Sequence, residues 1–520
     1  MKRFLIPTIA GGHGFSALID HTVGLALHAR GHEAHMLVCD GVLPACLQAS
    51  QQVVGDLGKF AEEGPQGTIC RGCTRASDRM QLESPLVWHK MGDYISESDR
   101  VNAKEFANNH GELLPQNLSV DGVELDFEIR AGVGRFFARL SQPEGEHAGV
   151  IVKRYIEAAY LSVCAVRRLC SENDYDGAFF NHGVFVPHGV IRQVLRKMGM
   201  RFLNWSLGTH PSTLIISNGD FHHYDLGREP EDRWVPPAWD DSKRQIISEF
   251  LKERRSWVEK GGMTAPWTTS GVSKYLFDKY GIDVTSKPTF VAITNLVWEA
   301  ESPNRHAFTN QFHWISSTIE YFSRRDDLQL VIRVHPCEVT GTQPTLERVA
   351  NFIEKNYPNL PQNIKVIAPD DLISTYAMME FASAYIAYIS TMAAEISAAG
   401  VPVIVAGFAP SRGKGFTYDP VSVQDYGAYI DMLSDKKPLS NDRVDLALKF
   451  AYNFFYRNHL PFGNVTYDGV IGGYKNYKSY EDLLEGGCSG LDAICDSLIS
   501  SRLIQRSIDE YVKWDGFKMA

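Results

Sequence analysis

The chain has 520 residues, of which 44% are hydrophobic and 22% are charged, and both fractions are near the averages for folded globular proteins. This composition excludes a disordered, collagenous or purely coiled-coil chain, and the length predicts two or three domains. The 52 basic and 62 acidic residues give a net charge of −10. This charge argues against a broad nucleic-acid surface, because such surfaces neutralise phosphates with Lys and Arg.

The apolar runs of the sequence are too short for a membrane helix or for the core of a signal peptide. The first run, at residues 3–9, is followed at once by Gly11, Gly12 and His13. We therefore expect a cytoplasmic protein, with peripheral association at the inner face of a membrane left open. Nine cysteines, an odd number, do not form a typical disulfide framework, so reduced thiols are expected.

The N-terminal half predicts strands that alternate with helices. A strand at 3–9, an amphipathic helix at 15–30 and a strand at 34–39 form a β-α-β unit. The segment from about 60 to 150 is polar and weakly periodic, which predicts an insertion of loops and short helices. The alternation returns in four further elements: a helix at 152–170, a strand at 177–181, a helix at 186–198 and a strand at 201–206.

A connection rich in Pro and Trp at 229–241 and a polar helix at 241–260 lead to a second alternating series. Its predicted strands are 289–295, 329–334, 364–367, 384–390 and 401–406, and its predicted helices are 308–324, 345–355, 372–382 and 392–399. This series predicts a second doubly wound sheet. Ligands bind outside the carboxyl ends of such strands, so we expect the site in a cleft between two Rossmann-like domains.

The strongest local signal is Ser390-Thr391 followed by Glu395, at a strand end and the start of a helix. Hydroxyls and backbone N–H groups at a helix start suit a phosphate. Glu395 lies about one turn further on, where its carboxylate could accept the hydroxyls of a ribose. The alternative is an ordinary helix cap and a solvated glutamate, and this triplet alone does not decide between the two.

The strand at 329–334 ends in a charged cluster at the same predicted sheet edge, with Arg333, His335 and Glu338 around Pro336. Pro336 stops the strand and fixes the loop that carries His335. A lone histidine is more often structural, but here its ring could hold a phosphate oxygen. Asn295, at the end of the first strand of the series, could contact the donor sugar or phosphate.

A third loop of this edge, 411–417, carries Arg412 and Lys414, and two glycines flank the lysine. Such a loop offers cationic and backbone N–H contacts to a leaving phosphate. A single loop of this kind is weak support for a phosphate site. Three polar loops at one sheet edge strengthen the hypothesis.

The N-terminal domain offers candidates for a general base. Its glycine turn at 11–14 lacks the full G-x-G-x-x-G pattern, which argues against dinucleotide binding. His13 or Asp20 could take a proton from an acceptor hydroxyl, and His182 in the turn after strand 177–181 could line the acceptor side. A purely structural turn explains each of these residues equally well.

Four cysteines form a group in the sequence: Cys39, Cys46, Cys70 and Cys73. Cys70 and Cys73 are a C-x2-C pair, and four thiolates could form a structural zinc site that pins the insertion. The alternative is a buried strand residue at Cys39 and free thiols elsewhere. The alternative is favoured because there is no second C-x2-C pair.

Three segments of the second half carry a resemblance to a known family: VIRVHPCE at 331–338, YISTMAAEISAAGVPVIVAG at 388–407 and RGKGFTYDP at 412–420. They resemble the GT-B glycosyltransferases of bacterial capsular and surface polysaccharide synthesis, including the Kdo-transferase-like capsule group. In that group the His-Pro motif and the Ser/Thr pair contact the nucleotide phosphate, and the helix glutamate contacts the ribose. The resemblance implies these roles for His335, Ser390, Thr391 and Glu395.

The resemblance also implies an architecture and a reaction. In the GT-B arrangement, 1–285 would form the acceptor-side domain, 286–470 the donor domain, and 471–520 a helical tail that returns to the first domain. The implied reaction moves a sugar from a CMP- or UDP-activated donor to a hydroxyl of a glycan or lipid-linked acceptor. GT-B enzymes usually need no bound metal, so the resemblance implies no cofactor for catalysis.

Two alternatives from other classes remain at this point. A sugar-nucleotide epimerase of the same architecture would convert the nucleotide sugar without an acceptor. A non-catalytic glycan-binding subunit would keep the fold without turnover. The joint presence of His335, Ser390, Glu395 and Lys414 favours an enzyme, because a scaffold has no physical need for this set.

Overall fold

The strands of the protein were obtained from a computed structural model that describes residues 1–11, 14–82, 84–209, 212–259, 271–299, 307–341, 343–467 and 473–512. In chain order they are β1 Arg3–Ile6, β2 Glu33–Val38, β3 Val87–Lys90, β4 Ser119–Val120, β5 Val123–Glu124, β6 Gly177–Asn181, β7 Phe202–Leu207, β8 Thr213–Asn218, β9 Thr289–Ile293, β10 Gln329–Arg333, β11 Ile364–Ile367, β12 Ala384–Ala387, β13 Val403–Val405, β14 His459–Pro461, β15 Val465–Tyr467 and β16 Gly473–Lys475.

The helices lie between and after these strands. They are α1 Gly14–Ala29, α2 Gln51–Val54, α3 Leu57–Glu63, α4 Thr68–Leu82, α5 Glu97–His110, α6 Asp126–Phe137, α7 Ala148–Glu172, α8 His188–Lys197, α9 His222–Arg228, α10 Glu231–Trp234, α11 Asp241–Glu259, α12 Val272–Tyr280, α13 Gln311–Phe322, α14 Cys337–Thr340, α15 Val349–Asn356, α16 Met392–Ala398, α17 Val423–Leu433, α18 Asn441–Tyr452, α19 Ser489–Ser500 and α20 Ile504–Tyr511. Among the described residues, no helix is both long and apolar enough to cross a lipid bilayer.

The first sheet contains seven strands in the order β14-β8-β7-β6-β1-β2-β3. Strands β3, β2, β1, β6 and β7 are parallel, and β8 and β14 add an antiparallel edge. All five residues of β6 are buried, as expected for a parallel strand that helices cover on both faces. The order reverses between β1 and β6, so a ligand crevice is expected where those two strands end.

The second sheet contains five parallel strands in the order β11-β10-β9-β12-β13. Its strands β9, β10 and β12 are buried along their whole length. The chain runs outward from β9 to β10 and β11, and then crosses over to β12 and β13. The order therefore reverses between β9 and β12, and this reversal opens a crevice at their carboxyl ends.

After α18 the chain returns to the first domain. Strand β14 pairs with β8, α19 packs on α1, and α20 packs on α19 and β8. This return begins before residue 470, within the range predicted for the second domain. The predicted α/β class, with two Rossmann-like domains and returning C-terminal helices in the GT-B arrangement, is confirmed.

Two segments differ from the sequence-based expectation. The insertion contains the regular helices α4, α5 and α6, because local caps such as the Ser96 and Asp99 capping box support helices that lack a strong apolar stripe. The helix predicted at 372–382 is instead a loop that contains a single 3₁₀ turn, Ala377–Glu380. Its carbonyls and hydroxyls bond to neighbouring elements; for example, Tyr385 donates its hydroxyl to the carbonyl oxygen of Thr375 at 2.7 Å.

Candidate active site

A cavity of about 380 Å³, here called the donor cavity, lies where the order of the second sheet reverses. The residues that follow β9 and β12 line it, among them Thr294, Asn295, Ser390 and Thr391. Ligand pockets of several hundred Å³ are typical for nucleotide-sized molecules. The position is that expected for the ligand crevice of a doubly wound sheet.

Asn295 connects the two strand ends at the floor of this cavity. Its backbone exchanges two hydrogen bonds with the side-chain amide of Gln311, at 2.9 and 2.8 Å. Its side-chain oxygen accepts the backbone N–H of Ile389 at 3.1 Å. Asn295 therefore lines the donor cavity, and it also fixes the spacing between the ends of β9 and β12.

His335 lines the donor cavity as a neutral hydrogen-bond donor. Burial, with a smaller contribution from Arg333, lowers the pKa of His335 to about 4, so its ring is uncharged near neutral pH. Its Nδ1 accepts the backbone N–H of Cys337 at 3.1 Å. The proton of the neutral ring is therefore assigned to Nε2, which makes this nitrogen a donor.

Ser390 and Thr391 also line the cavity and are half-buried. The hydroxyl oxygen of Ser390 accepts the backbone N–H of Met392 at 3.2 Å, which holds the turn between β12 and α16. Thr391 is the residue that precedes α16. Two hydroxyl groups therefore share the lining of the donor cavity with His335.

Glu395 does not line the cavity directly, although the sequence predicts a ribose contact for it. Its buried carboxylate accepts the hydroxyl of Tyr376 at 2.8 Å and Nε of Arg254 at 3.3 and 3.4 Å. Arg254 and Tyr376 line the cavity themselves. The glutamate thus holds two groups of the wall in place.

Sequence reasoning missed Arg254 because helix α11 was interpreted as part of a connection between domains. A usable signal was present, since Ile247, Phe250 and Leu251 form a buried stripe on this helix and residue 254 continues its helical period. This stripe packs against residues of α16 and α18 in one apolar cluster. An arginine on a buried stripe needs a partner, and Glu395 supplies it.

Arg333 lines the donor cavity, but its guanidinium is buried and bonded to backbone carbonyls. It donates to the carbonyl oxygens of Ala368 and Asp371, the latter at 2.8 Å. Burial lowers the pKa of this arginine. Arg333 therefore clamps the end of β10 to the loop after β11.

Glu338, for which the sequence predicts a donor contact, lies outside the lining of the donor cavity. Its carboxylate is fully buried and accepts the backbone N–H of Val349 at 3.1 Å, at the start of α15. Burial raises the pKa of this carboxyl to about 7. Glu338 caps a helix and lies outside the cavity lining, because the short helix α14 turns it inward.

Arg412 and Lys414, for which the sequence predicts contacts with a phosphate, lie outside the lining of the donor cavity. Gly413 and Gly415 adopt positive φ angles of 75° and 84°, so the loop folds back on itself. Arg412 donates to backbone carbonyl oxygens of its own loop and strand, including that of Val405 at 2.7 Å. Both cations are buried within the protein and neither lines the donor cavity.

Lys414 reaches across to the first half of the chain. Its Nζ donates to the carbonyl oxygen of Glu229 and lies 5.9 Å from the ring centre of Trp234. Burial lowers the pKa of Lys414, and the Glu229 carboxylate opposes this shift. Lys414 therefore ties its loop to the segment between α9 and α10.

The residues predicted as candidates for a general base do not lie together in one site. His13 lies outside the described residues. Asp20 is in the interior of α1, is 1% exposed, and accepts the indole N–H of Trp205 at 2.6 Å. Burial raises the pKa of Asp20 to about 8, with hydrogen bonds from Trp205 and Thr8 opposing the shift. Asp20 is therefore a core residue that cannot reach an acceptor, which corrects the prediction.

The raised pKa of Asp20 predicts a pH-dependent stability. Between about pH 4 and pH 8 the folded protein keeps a proton on Asp20 that the unfolded chain has lost, so this residue's contribution to the free energy of unfolding falls as the pH rises. The free energy of unfolding of Asp20→Asn, measured in urea relative to that of wild type, should therefore rise by about 2–4 kcal/mol between pH 5 and pH 8. The exposed control Asp326→Asn should show no such gain, and parallel curves for Asp20→Asn and wild type would contradict the assignment.

A second cavity of about 180 Å³, here called the aromatic chamber, adjoins the donor cavity. Both domains line it. Its aromatic side chains are Phe127, Phe185, Phe221, Tyr224, Trp298 and Phe408. The domains approach closely here, since a Cβ atom on Gly227 would lie 2.6 Å from the ring of Phe408. The two cavities share the lining residues His223, Glu299 and Ile389, so they meet at these side chains.

His182 lines the aromatic chamber, which places this predicted acceptor-side residue in the cleft. It follows β6 with a positive φ of 60°, and its ring stacks on Phe185 with centroids 5.1 Å apart. A third cavity of about 230 Å³ shares His182, Phe185, Trp298 and Glu299 with the chamber and adds Arg135. This part of the cleft thus branches into two spaces that share aromatic lining residues.

The four cysteines lie together around a small cavity beside the end of β2. They are free thiols, and burial raises the pKa values of Cys46 and Cys70 to about 12. Within the described residues, no group of three or more His, Cys, Asp or Glu side chains is arranged to hold a metal ion. The zinc site considered for Cys39, Cys46, Cys70 and Cys73 is therefore not formed by this arrangement.

The fold and the cleft define an α/β protein with two Rossmann-like domains and a ligand site between them. No protein-family model matches the chain, and no curated protein matches it. Among solved structures it is similar to Thermosulfurimonas dismutans KpsC, beta Kdo 2,4 transferase, at 14% identity and a TM-score of 0.36, over 59% of this chain and 87% of that chain.

Two further solved structures cover more of the chain. Sucrose-phosphate synthase from Thermosynechococcus elongatus matches at 10% identity and a TM-score of 0.29, over 88% of this chain and 95% of that chain. The UDP-GlcNAc 2-epimerase from Neisseria meningitidis bound to UDP-GlcNAc matches at 9% identity and a TM-score of 0.27, over 88% and 96%. At these values the likeness does not bear on the reaction, the donor or the acceptor.

Proposed function

We propose that the chain is a glycosyltransferase that moves a sugar from a nucleotide-activated donor to a hydroxyl of a glycan or lipid-linked acceptor. One observation carries the proposal: His335, Ser390 and Thr391 converge on the donor cavity at the reversal of the second sheet, and this cavity meets the aromatic chamber. A donor site and an acceptor site with a shared boundary are what a transferase requires.

The donor phosphate would bind at the three polar groups that end β10 and β12. The Nε2–H of His335 and the hydroxyls of Ser390 and Thr391 are preorganised hydrogen-bond donors, which stabilise the negative charge that grows on a departing phosphate. The strands fix all three, so little reorganisation is needed when the bond to the sugar breaks. CMP- and UDP-sugars fit this proposal equally well.

The nucleoside part of the donor would extend toward Arg254 and Tyr376. Glu395 acts on it indirectly, because its carboxylate holds both side chains at the wall of the cavity. Loss of Glu395 would free Arg254 and Tyr376 to take other rotamers. We therefore treat Glu395 as a positioning residue for the donor.

The acceptor would occupy the aromatic chamber. Aromatic rings pack well against the apolar faces of sugar rings, and a chamber with this lining suits a glycan. A lipid-linked glycan would bring the protein to a membrane surface, at the cytoplasmic face if the chain is cytoplasmic. A role in the assembly of capsular or surface polysaccharide belongs to the same proposal.

Binding of a nucleotide panel tests the proposed function. We expect one of CMP, CDP, UDP, GDP and ADP to bind wild type preferentially in calorimetry, and Glu395→Ala to weaken that binding about tenfold or more, which corresponds to one or two lost hydrogen bonds. The control Glu354→Ala, on the exposed face of α15, should bind like wild type.

Other outcomes of this experiment are equally informative. If no nucleotide binds wild type, the transferase proposal is contradicted and a non-catalytic glycan-binding subunit becomes the better interpretation. The epimerase alternative needs a separate incubation of the protein with the nucleotide sugar and no acceptor. If the nucleotide sugar is converted to its epimer, the protein is an epimerase of the same architecture.

A further inference from the structure

The boundary between the donor cavity and the aromatic chamber restricts where a proton can be removed. His223, Glu299 and Ile389 are the residues that line both spaces. An acceptor hydroxyl that attacks the donor sugar must lie at this boundary, because the two substrates meet there. A general base has to be within hydrogen-bond reach of that hydroxyl.

Two of these three residues can accept a proton, and their surroundings differ. The ring of His223 packs on that of His222, with centroids 3.9 Å apart, and burial lowers the pKa of His223 to about 4. Protein atoms around the cleft raise the pKa of Glu299 by desolvation, although its side chain stays open to the cleft, and Arg135 opposes this shift. His223 is therefore a weaker base than an ordinary imidazole, whereas Glu299 is a stronger base than an ordinary carboxylate.

Glu299 is also held in a position that suits this role. It follows β9 in a turn, and its backbone N–H donates to the carbonyl oxygen of Leu296 at 3.1 Å. The neighbouring Trp298 donates its indole N–H to the hydroxyl of Thr345 at 3.2 Å, which fixes the loop. The side chain of Glu299 is exposed to the space of the cleft and lines all three cavities.

We propose that Glu299 is the catalytic base that takes the proton from the acceptor hydroxyl. This inference rests on the proposed transferase function. In the transfer, the acceptor oxygen forms a bond to the anomeric carbon of the nucleotide sugar, and the bond from that carbon to the phosphate oxygen breaks. The electron pair leaves with the nucleotide phosphate, and the hydroxyl proton passes to the Glu299 carboxylate.

The test uses the full chain, the sugar derivative of the nucleotide that binds best, and octyl glycosides as acceptor probes. Glu299→Gln should slow acceptor-dependent release of nucleotide at least about a hundredfold, because general base catalysis contributes 10²–10⁴-fold. The Kd of the nucleotide should stay within about twofold of wild type, since glutamine has nearly the same shape as glutamate and the proposed phosphate contacts at His335, Ser390 and Thr391 are unchanged. The control Glu354→Gln should transfer like wild type.

Chemical rescue separates a base from a structural residue. Glu299→Ala leaves space for a small carboxylate, so added formate should raise its rate about tenfold or more, while wild type should not respond. Glu299→Asp should keep part of the rate because it retains the carboxylate at a shorter reach.

Each result decides the inference. If Glu299→Gln transfers at the wild-type rate while wild type binds nucleotide, the inference is overturned and the transferase proposal survives. The same holds if His223→Gln abolishes transfer and Glu299→Gln does not. Loss of nucleotide binding in Glu299→Gln would make the residue structural and would also overturn the inference. If wild type neither binds nor transfers, the proposed function fails and this inference fails with it.

Discussion

Replacing His335 by alanine is expected to slow sugar transfer roughly 10²–10³-fold, the effect of removing one preorganised donor from a developing oxyanion. The affinity for the free nucleotide should change much less, because Ser390, Thr391 and Arg254 still line the cavity. The reason lies in the Nε2–H of the neutral ring, which matters most as charge accumulates on the leaving phosphate. Steady-state rates with saturating donor, compared with calorimetric Kd values, separate the two effects.

A matched substitution and a pH profile define this role of His335 further. His335→Gln retains a side-chain N–H at a similar reach and should recover much of the rate lost in His335→Ala. Because the pKa of His335 is lowered to about 4, the ring stays neutral from pH 6 to pH 8, and its titration should not affect transfer in that range. An acid limb near pH 6.5 that disappears in His335→Ala would contradict the neutral-donor role.

Features that depend on local sequence were predictable. The sequence predicts strand β6 at residues 177–181, where four apolar or small residues precede the turn that begins at Asn181, and its bounds agree with the structure. His335 and Ser390 could be assigned to one edge because parallel strands of a doubly wound sheet end on the same side. The order of strands then brings their loops together, whatever the details of the loops.

Features that depend on distant partners were not predictable from the sequence. Lys414 has the appearance of a phosphate ligand in a glycine-rich loop, but its amino group bonds to Glu229, which lies far away along the chain. Arg254 and Glu395 are the opposite case: Arg254 belongs to no motif and Glu395 suggests a ribose contact, and their pairing arises only when α11 packs beside α16. A helical stripe can mark one member of a buried charge pair, but a single sequence does not identify its distant partner.

The second large effect is expected at Arg254. Arg254→Met should lower the free energy of unfolding by about 3–5 kcal/mol, because it leaves the Glu395 carboxylate buried without its cation. In wild type the arginine side chain is 12% exposed and that of Glu395 is 1% exposed. Burial acts to lower the pKa of Arg254, but Glu395 raises it and the net shift is upward, so the arginine is charged in the pair.

A double substitution separates loss of the pair from loss of packing. If the cost comes from an uncompensated charge, Arg254→Met combined with Glu395→Met should be clearly more stable than Arg254→Met alone in urea unfolding. The control Lys252→Met, on the exposed side of α11, should change stability by no more than about 0.5 kcal/mol. Equal stability of the single and double variants would show that Arg254 acts through its packing on Phe455. Both variants should lose donor affinity even if the double variant regains stability, because the guanidinium itself lines the donor cavity.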